Sequence, residues 1–276
     1  MHQTTNKVFI KGLHRAIAWS LVLASAVSAV AEKQQPLELV QTTSQSGLRL
    51  VDSEQTGATF LNEITVASAG ENQVLLNGSG VAAGDFDLDG LPDLYFCGLE
   101  NDNVLYRNLG GFRFEPIGAE TVACPRVPST SAAFADLNGD SHLDLLVGTV
   151  GRGLIILMND TRGGFSRSAV TLPDTNSLAI YSTPMTDIDH DGALDIYVST
   201  YRSTSIRNSP NLKFELGFSD NQQTLESAID TKTGEKFSKE RFYISDGKVL
   251  EAGTKDFLLL NDGSGQFEVI ALADFK

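Results

Sequence analysis

Three short segments of this chain carry oxygen donors at alternate positions. The first holds Asp85, Asp87, Asp89, the backbone carbonyl of Leu91, and Asp93. The second holds Asp136, Asn138, Asp140, the carbonyl of His142, and Asp144. The third holds Asp187, Asp189, Asp191, the carbonyl of Ala193, and Asp195. Donors at positions 1, 3, 5, 7 and 9 of a curling loop converge on one point, and an all-oxygen set suits Ca2+ rather than zinc or copper. Carboxylates crowded this closely repel one another unless a cation sits among them. Gly90 and Gly192 at position 6 give the backbone freedom to curl. The second segment is the weakest, because Asn138 lowers its charge and Ser141 replaces the glycine. An EF-hand is excluded. It requires an acidic residue at position 12, and Phe96, Val147 and Val198 stand there.

The segments must be held by repeated elements, because their first aspartates lie 51 residues apart, twice. A fixed period of this length marks stacked structural units. Each loop precedes an apolar, β-prone run: Leu94–Phe96, Leu145–Val147 or Ile196–Val198. A second landmark follows. Asn108-Leu-Gly-Gly-Phe112, Asn159 to Phe165, and Asn261 to Phe267 read as hairpins. Asn and Gly are expected there to supply positive φ, and the Phe to restart a strand and fill the layer between sheets. The third loop-to-hairpin distance is much longer than the others, so residues 203–256 read as an insertion, the alternative being a degenerate fourth repeat in which Asn208 to Phe214 keeps the Asn-to-Phe spacing. The expected fold is all-β: a β-propeller of four-stranded blades, about three present and the ring incomplete, with an N-terminal signal helix. Blade 1 is expected over about 76–124, blade 2 over 125–175, and blade 3 over 176–276. Residues 32–75 form a linker and N-terminal strands, with Leu48–Val51 and Ala58–Leu61 strand-like.

The chain has 276 residues and a formal charge of −14. That balance argues against a nucleic-acid partner. Lys7, Lys11 and Arg15 precede an apolar run from Ala16 to Val30, and Ala29-Val30-Ala31 has the small-x-small form of a cleavage site. Residues 1–31 thus read as a signal peptide, which places the protein outside the cytoplasm, secreted, periplasmic or at the cell surface. No later segment is long and apolar enough to span a bilayer. Cys97 and Cys124 are the only cysteines. In an oxidising compartment they form either a disulfide within the first repeat or two free thiols.

These residues resemble the FG-GAP/VCBS repeats of integrin α-subunit propellers. The resemblance is closer to the cartilage-acidic-protein-like family that often carries a C-terminal ASPIC/UnbV segment. It rests on Gly80-Val-Ala-Ala-Gly-Asp85 and the loop after it, on Leu105-Tyr-Arg-Asn108-Leu-Gly-Gly-Phe112, on Tyr201-Arg202, and on Asn261 to Phe267. It implies a propeller of about seven blades and carries the calcium ligands over to the loop residues named above, for about three Ca2+ ions.

The expected function is a non-enzymatic recognition, adhesion or scaffold module with Ca2+ as a structural clamp, its partner an extracellular protein or glycan surface. Residues 203–256, with Arg202, Arg207, Lys232, Lys236, Lys239 and Arg241, are the candidate contact region, the alternative being a solvated flap. The alternative is the propeller platform of a secreted hydrolase or lyase. Against it, only His142 and His190 remain after the signal peptide, both inside loops, and no nucleophile–base set stands out.

Overall fold

The computed structural model describes residues 50–118, 120–220 and 222–272. The expected signal peptide, and most of the linker that follows it, lie outside the described residues. From Val51 onward the chain forms one unit.

Its frame is three antiparallel sheets in series. The first pairs β1 (Val81–Gly84), β2 (Asp93–Phe96), β3 (Val104–Asn108) and β4 (Phe114–Ile117) in that order. The second repeats the order with β5 (Ser129–Ala135), β6 (Asp144–Thr149), β7 (Leu154–Asn159) and β8 (Phe165–Arg167). In the third, the first strand is broken into β9 (Leu178–Ser182) and β10 (Met185–Thr186), both paired with β11 (Asp195–Arg202). Pro184 sits in the break and offers only its carbonyl, which accepts from Tyr197 N–H.

Residues 203–256 leave the third sheet and return to it. They build two separate hairpins, β12 (Leu212–Ser219) with β13 (Gln222–Asp230), and β14 (Phe242–Ser245) with β15 (Lys248–Glu251). The sheet then resumes, with β16 (Phe257–Asn261) against β11 and β17 (Phe267–Ala271) at the edge. The stretch from Asn208 therefore forms no fourth sheet of the repeat.

The middle sheet explains its own sequence. Every residue of β6 is buried, because the sheet is covered on both faces. Leu145, Val147, Ile155 and Leu157 face the first sheet and pack with Phe86, Tyr95 and Leu105. Leu146, Leu154 and Ile156 face the third and pack with Ile196, Val198 and Leu259. Two buried faces require a continuous apolar run rather than alternation, as Leu145-Leu-Val and Leu154-Ile-Ile-Leu show. The innermost strands β1, β5 and β9 lie side by side. Thr130 Oγ1 donates to the Ile180 carbonyl at 2.5 Å across that line. Gly148 is fixed by the same closeness. A Cβ there would lie 2.2 Å from Ser131 Oγ and 2.6 Å from the Ile180 carbonyl oxygen.

The N-terminal segment differs from expectation. Ala58–Leu61 is not a strand, because no neighbouring strand offers it a ladder. The Phe60 ring instead stacks on Phe96 at 5.3 Å and covers the outer face of the first sheet. Short helices occupy Ser53–Thr56 and Val66–Glu71, the second capped by the Thr65 hydroxyl, which accepts from Ser68 N–H. Cys97 and Cys124 are both buried as free thiols. Burial pushes the Cys97 thiol up to about 12, which keeps it protonated and unreactive at neutral pH.

Candidate metal centre

Position 9 of each loop is the first residue of a second strand, and this places its carboxylate inside the fold. Asp93, Asp144 and Asp195 are essentially inaccessible to solvent. Each makes the same two bonds. One oxygen accepts from the N–H at position 2, which is Phe86, Leu137 or Ile188, at 2.8–3.1 Å. The other accepts from the N–H of the hairpin asparagine, Asn108, Asn159 or Asn261, at 2.8–2.9 Å. The aspartate thus ties the mouth of its loop to the next hairpin. Burial raises the carboxyls of Asp93 and Asp144 above the usual range. The two backbone N–H bonds oppose that rise, and the neighbouring loop carboxylates add to it.

The hairpin asparagines act through their side chains rather than through positive φ. None of the three has positive φ, which falls on Gly110 to Phe112, on Thr161 and Gly163, and on Gly263 and Gly265. Each Asn amide donates to the carbonyl before the position-9 aspartate: Pro92, Leu143 or Leu194. In the second and third copies it also crosses to the preceding sheet. Asn159 Nδ2 donates to the Phe86 carbonyl at 2.9 Å, and Asn261 Nδ2 to the Leu137 carbonyl at 2.7 Å. The side-chain carbonyl closes the turn onto Gly110, Thr161 or Gly263. The aromatic that restarts the strand is Phe114, Phe165 or Phe267, each paired with its Asn. In the first copy this replaces the expected Phe112, which is exposed at positive φ.

Within the loops, Asp85, Asp136 and Asp187 at position 1 accept backbone N–H bonds from positions 5 and 6 and so hold the curl. Asp89, Asp140 and Asp191 at position 5 accept from the N–H of Leu91, His142 and Ala193. Positive φ occurs at position 4 as well as position 6: Leu88 and Gly90, Gly139 and Ser141, His190 and Gly192. The second loop moves its glycine to position 4 and leaves Ser141 at φ 70°. Sequence reading missed that exchange; the signal was Gly139 itself.

Two loops gather ligand atoms. In Asp85, Asp87 and Asp93, and again in Asp187, Asp189 and Asp195, one carboxylate oxygen per residue lies within 4.8 Å of the others. Asp89 and Asp191 stand outside these triads, as do the aspartates of the second loop, where Asn138 donates to Asp140 at 3.1 Å. The first triad carries a further mark. Asp87 Oδ1 is buried with no hydrogen-bond partner. Its other oxygen lies 2.8 Å from Arg107 Nε, an ion pair set off the line that a hydrogen bond requires. A buried carboxylate oxygen without a donor is costly, and a hard cation would satisfy it. The residues fit Ca2+.

Residues 85–147 and 136–198 each match the model of the FG-GAP-like repeat. The chain therefore carries FG-GAP-like repeats across 85–198, in a mostly β fold of four-stranded antiparallel sheets. No curated protein matches the chain. Among the described residues, no helix is long and apolar enough to cross a membrane.

Proposed function

We propose that this protein is an exported, non-enzymatic β-propeller module in which Ca2+ clamps the aspartate loops, and that it recognises an extracellular protein or glycan. The observation that carries the reading is the pair of acidic triads, each built on a buried aspartate that already ties loop to hairpin. An ion shared by positions 1, 3 and 9 would join the loop tip to that anchor. It would act on shape and stability, with the loop residues supplying oxygen ligands and no chemistry at a substrate. The closer kinship, with the cartilage-acidic-protein-like family, belongs to this proposal and rests on the Gly80–Asp85 approach and the Asn hairpins.

Propeller architecture is supported by the outward face of the third sheet. Position 2 is fully buried as Phe86 and Leu137, yet Ile188 is 51% exposed. Two residues past the position-9 aspartate, Tyr95 and Leu146 are wholly buried, whereas Tyr197 is 36% exposed. The Phe86 and Leu137 carbonyls each receive an asparagine amide from the following sheet. The third sheet thus presents the surface that the first two bury, the shape a following blade requires. Export is supported by the charged, then apolar, then small-residue pattern of residues 1–31.

Thermal unfolding of the full-length protein with calcium and with chelator tests the clamp. At ten times the dissociation constant one site adds roughly 1.4 kcal/mol, so two sites are expected to raise the melting temperature by several degrees. An unchanged melting temperature would overturn the proposal.

A further inference from the structure

Where the 203–256 insertion leaves and rejoins the third sheet, it builds a cleft of about 560 Å³ against the N-terminal segment. One wall is Leu76, the other the β14–β15 hairpin, and Tyr201 at the end of β11 also lines it. Tyr243 and Leu250 are cross-strand partners on that hairpin and are 50% and 39% exposed. Tyr201 is 39% exposed.

The charge of this cleft runs against that of the chain. Glu251 is the acidic residue among its lining, and its carboxylate is saturated. Arg241 donates to one oxygen through Nε and Nη2 at 3.0 and 2.8 Å. Arg202 Nε lies 2.9 Å from the other, which also accepts from Ile206 N–H. Arg202 in turn lies over the Tyr201 ring at 4.5 Å and donates to its hydroxyl. Two guanidinium groups on one carboxylate leave a net positive charge. Arg207 adds another; it is exposed, and among the described residues its guanidinium has no partner. Gln73 and Asn77 bring amides to the rim.

We infer that this cleft binds an acidic oligosaccharide, with a sugar face on Tyr243 and a uronate carboxylate on Arg207. Phenol rings offer a flat apolar face beside a polar edge, and amides both donate and accept, as vicinal hydroxyls require. A guanidinium matches a carboxylate bidentately. The inference rests on the recognition-module reading and names its ligand class.

The test is calorimetric titration of full-length protein in calcium with an oligogalacturonate, with a neutral galacto-oligosaccharide, and with a glutamate-rich peptide. The oligogalacturonate is expected to bind at least about tenfold more tightly than either of the others. Arg207→Glu is expected to abolish that binding and Tyr243→Ser to weaken it about tenfold. Lys213→Glu, on the other hairpin, is expected to leave it unchanged. Both cleft positions are exposed, so unchanged melting temperatures will show that the variants fold. Failure of the oligogalacturonate to bind, or a tighter peptide, overturns the inference. Binding that survives both cleft variants also overturns it but leaves the module reading standing. That reading fails separately if an array of extracellular proteins and glycans yields no ligand.

Discussion

The second aspartate loop differs from the first and third on the same scaffold. All three bury a position-9 aspartate that ties loop to hairpin. Only the outer two bring three carboxylate oxygens within 4.8 Å of one another. The middle loop has Asn138 at position 3, and that amide donates to Asp140 rather than adding a charge. The tie is therefore a device of all three repeats, and the proposed ion seat is a second one, found where position 3 is charged; Asp93 and Asp195 serve both.

The largest effect expected from this contrast falls on the tie. Asp144→Ala leaves the N–H groups of Leu137 and Asn159 buried without acceptors, at a cost of about 2–4 kcal/mol. Chemical denaturation should show that loss equally in calcium and in chelator. A loss seen only in calcium would merge the two devices again. A smaller effect is expected at the crossing amides. Asn261→Ala removes bonds to Leu137 and Leu194 and should cost about 1–2 kcal/mol. Asn108→Ala removes bonds within its own repeat alone, to the Pro92 carbonyl and from Gly110 N–H, and should cost less. Equal losses would remove the inter-sheet role of these amides.

The seat is sharpened by exchanging position 3. Asp189→Asn should lose one calcium site with little change in the chelated protein's stability, and Asn138→Asp should gain one in the second loop. Calcium stoichiometry by equilibrium dialysis checks both, and an Asn138→Asp variant with unchanged stoichiometry would break the comparison. The smallest effect concerns backbone strain. Ser141→Gly relieves a non-glycine residue at φ 70° and should stabilise by a few tenths to about 1 kcal/mol. The same glycine at Ser68, inside a helix, should do the reverse.

Much of the repeat was legible because its signals are local. The loops, the strands after them and the Asn hairpins depend on short-range pattern, and Leu94–Phe96, Leu145–Val147 and Ile196–Val198 lie in strands where the apolar runs placed them. Roles that depend on contacts between sheets were not legible. The asparagines read as turn residues in the sequence, yet the Asn159 and Asn261 amides reach the preceding sheet, and nothing within the hairpin sequence reports that partner. Phe112 stands directly after Gly-Gly, as Phe165 does in the second copy, and only the pairing of Asn108 with Phe114 shows which aromatic restarts the strand. Ala58–Leu61 looked like a strand by composition, but a strand needs a neighbour, and the Phe96 ring took that place. At the candidate site, the aspartates were all named, but alternation alone could not show that positions 1, 3 and 9 converge while position 5 folds back to the backbone. The cleft at the insertion was invisible apart from its arginines, because residues from the N-terminal segment complete it.

The central claim is that two acidic loops seat calcium. Calorimetric titration of the chelator-stripped, full-length protein with CaCl2 tests it most directly. The account predicts two bound ions, with dissociation constants in the roughly 10⁻⁴ to 10⁻³ M range of extracellular calcium modules, and one ion in the Asp189→Asn variant. No saturable calcium binding, or binding unchanged in that variant, would contradict it.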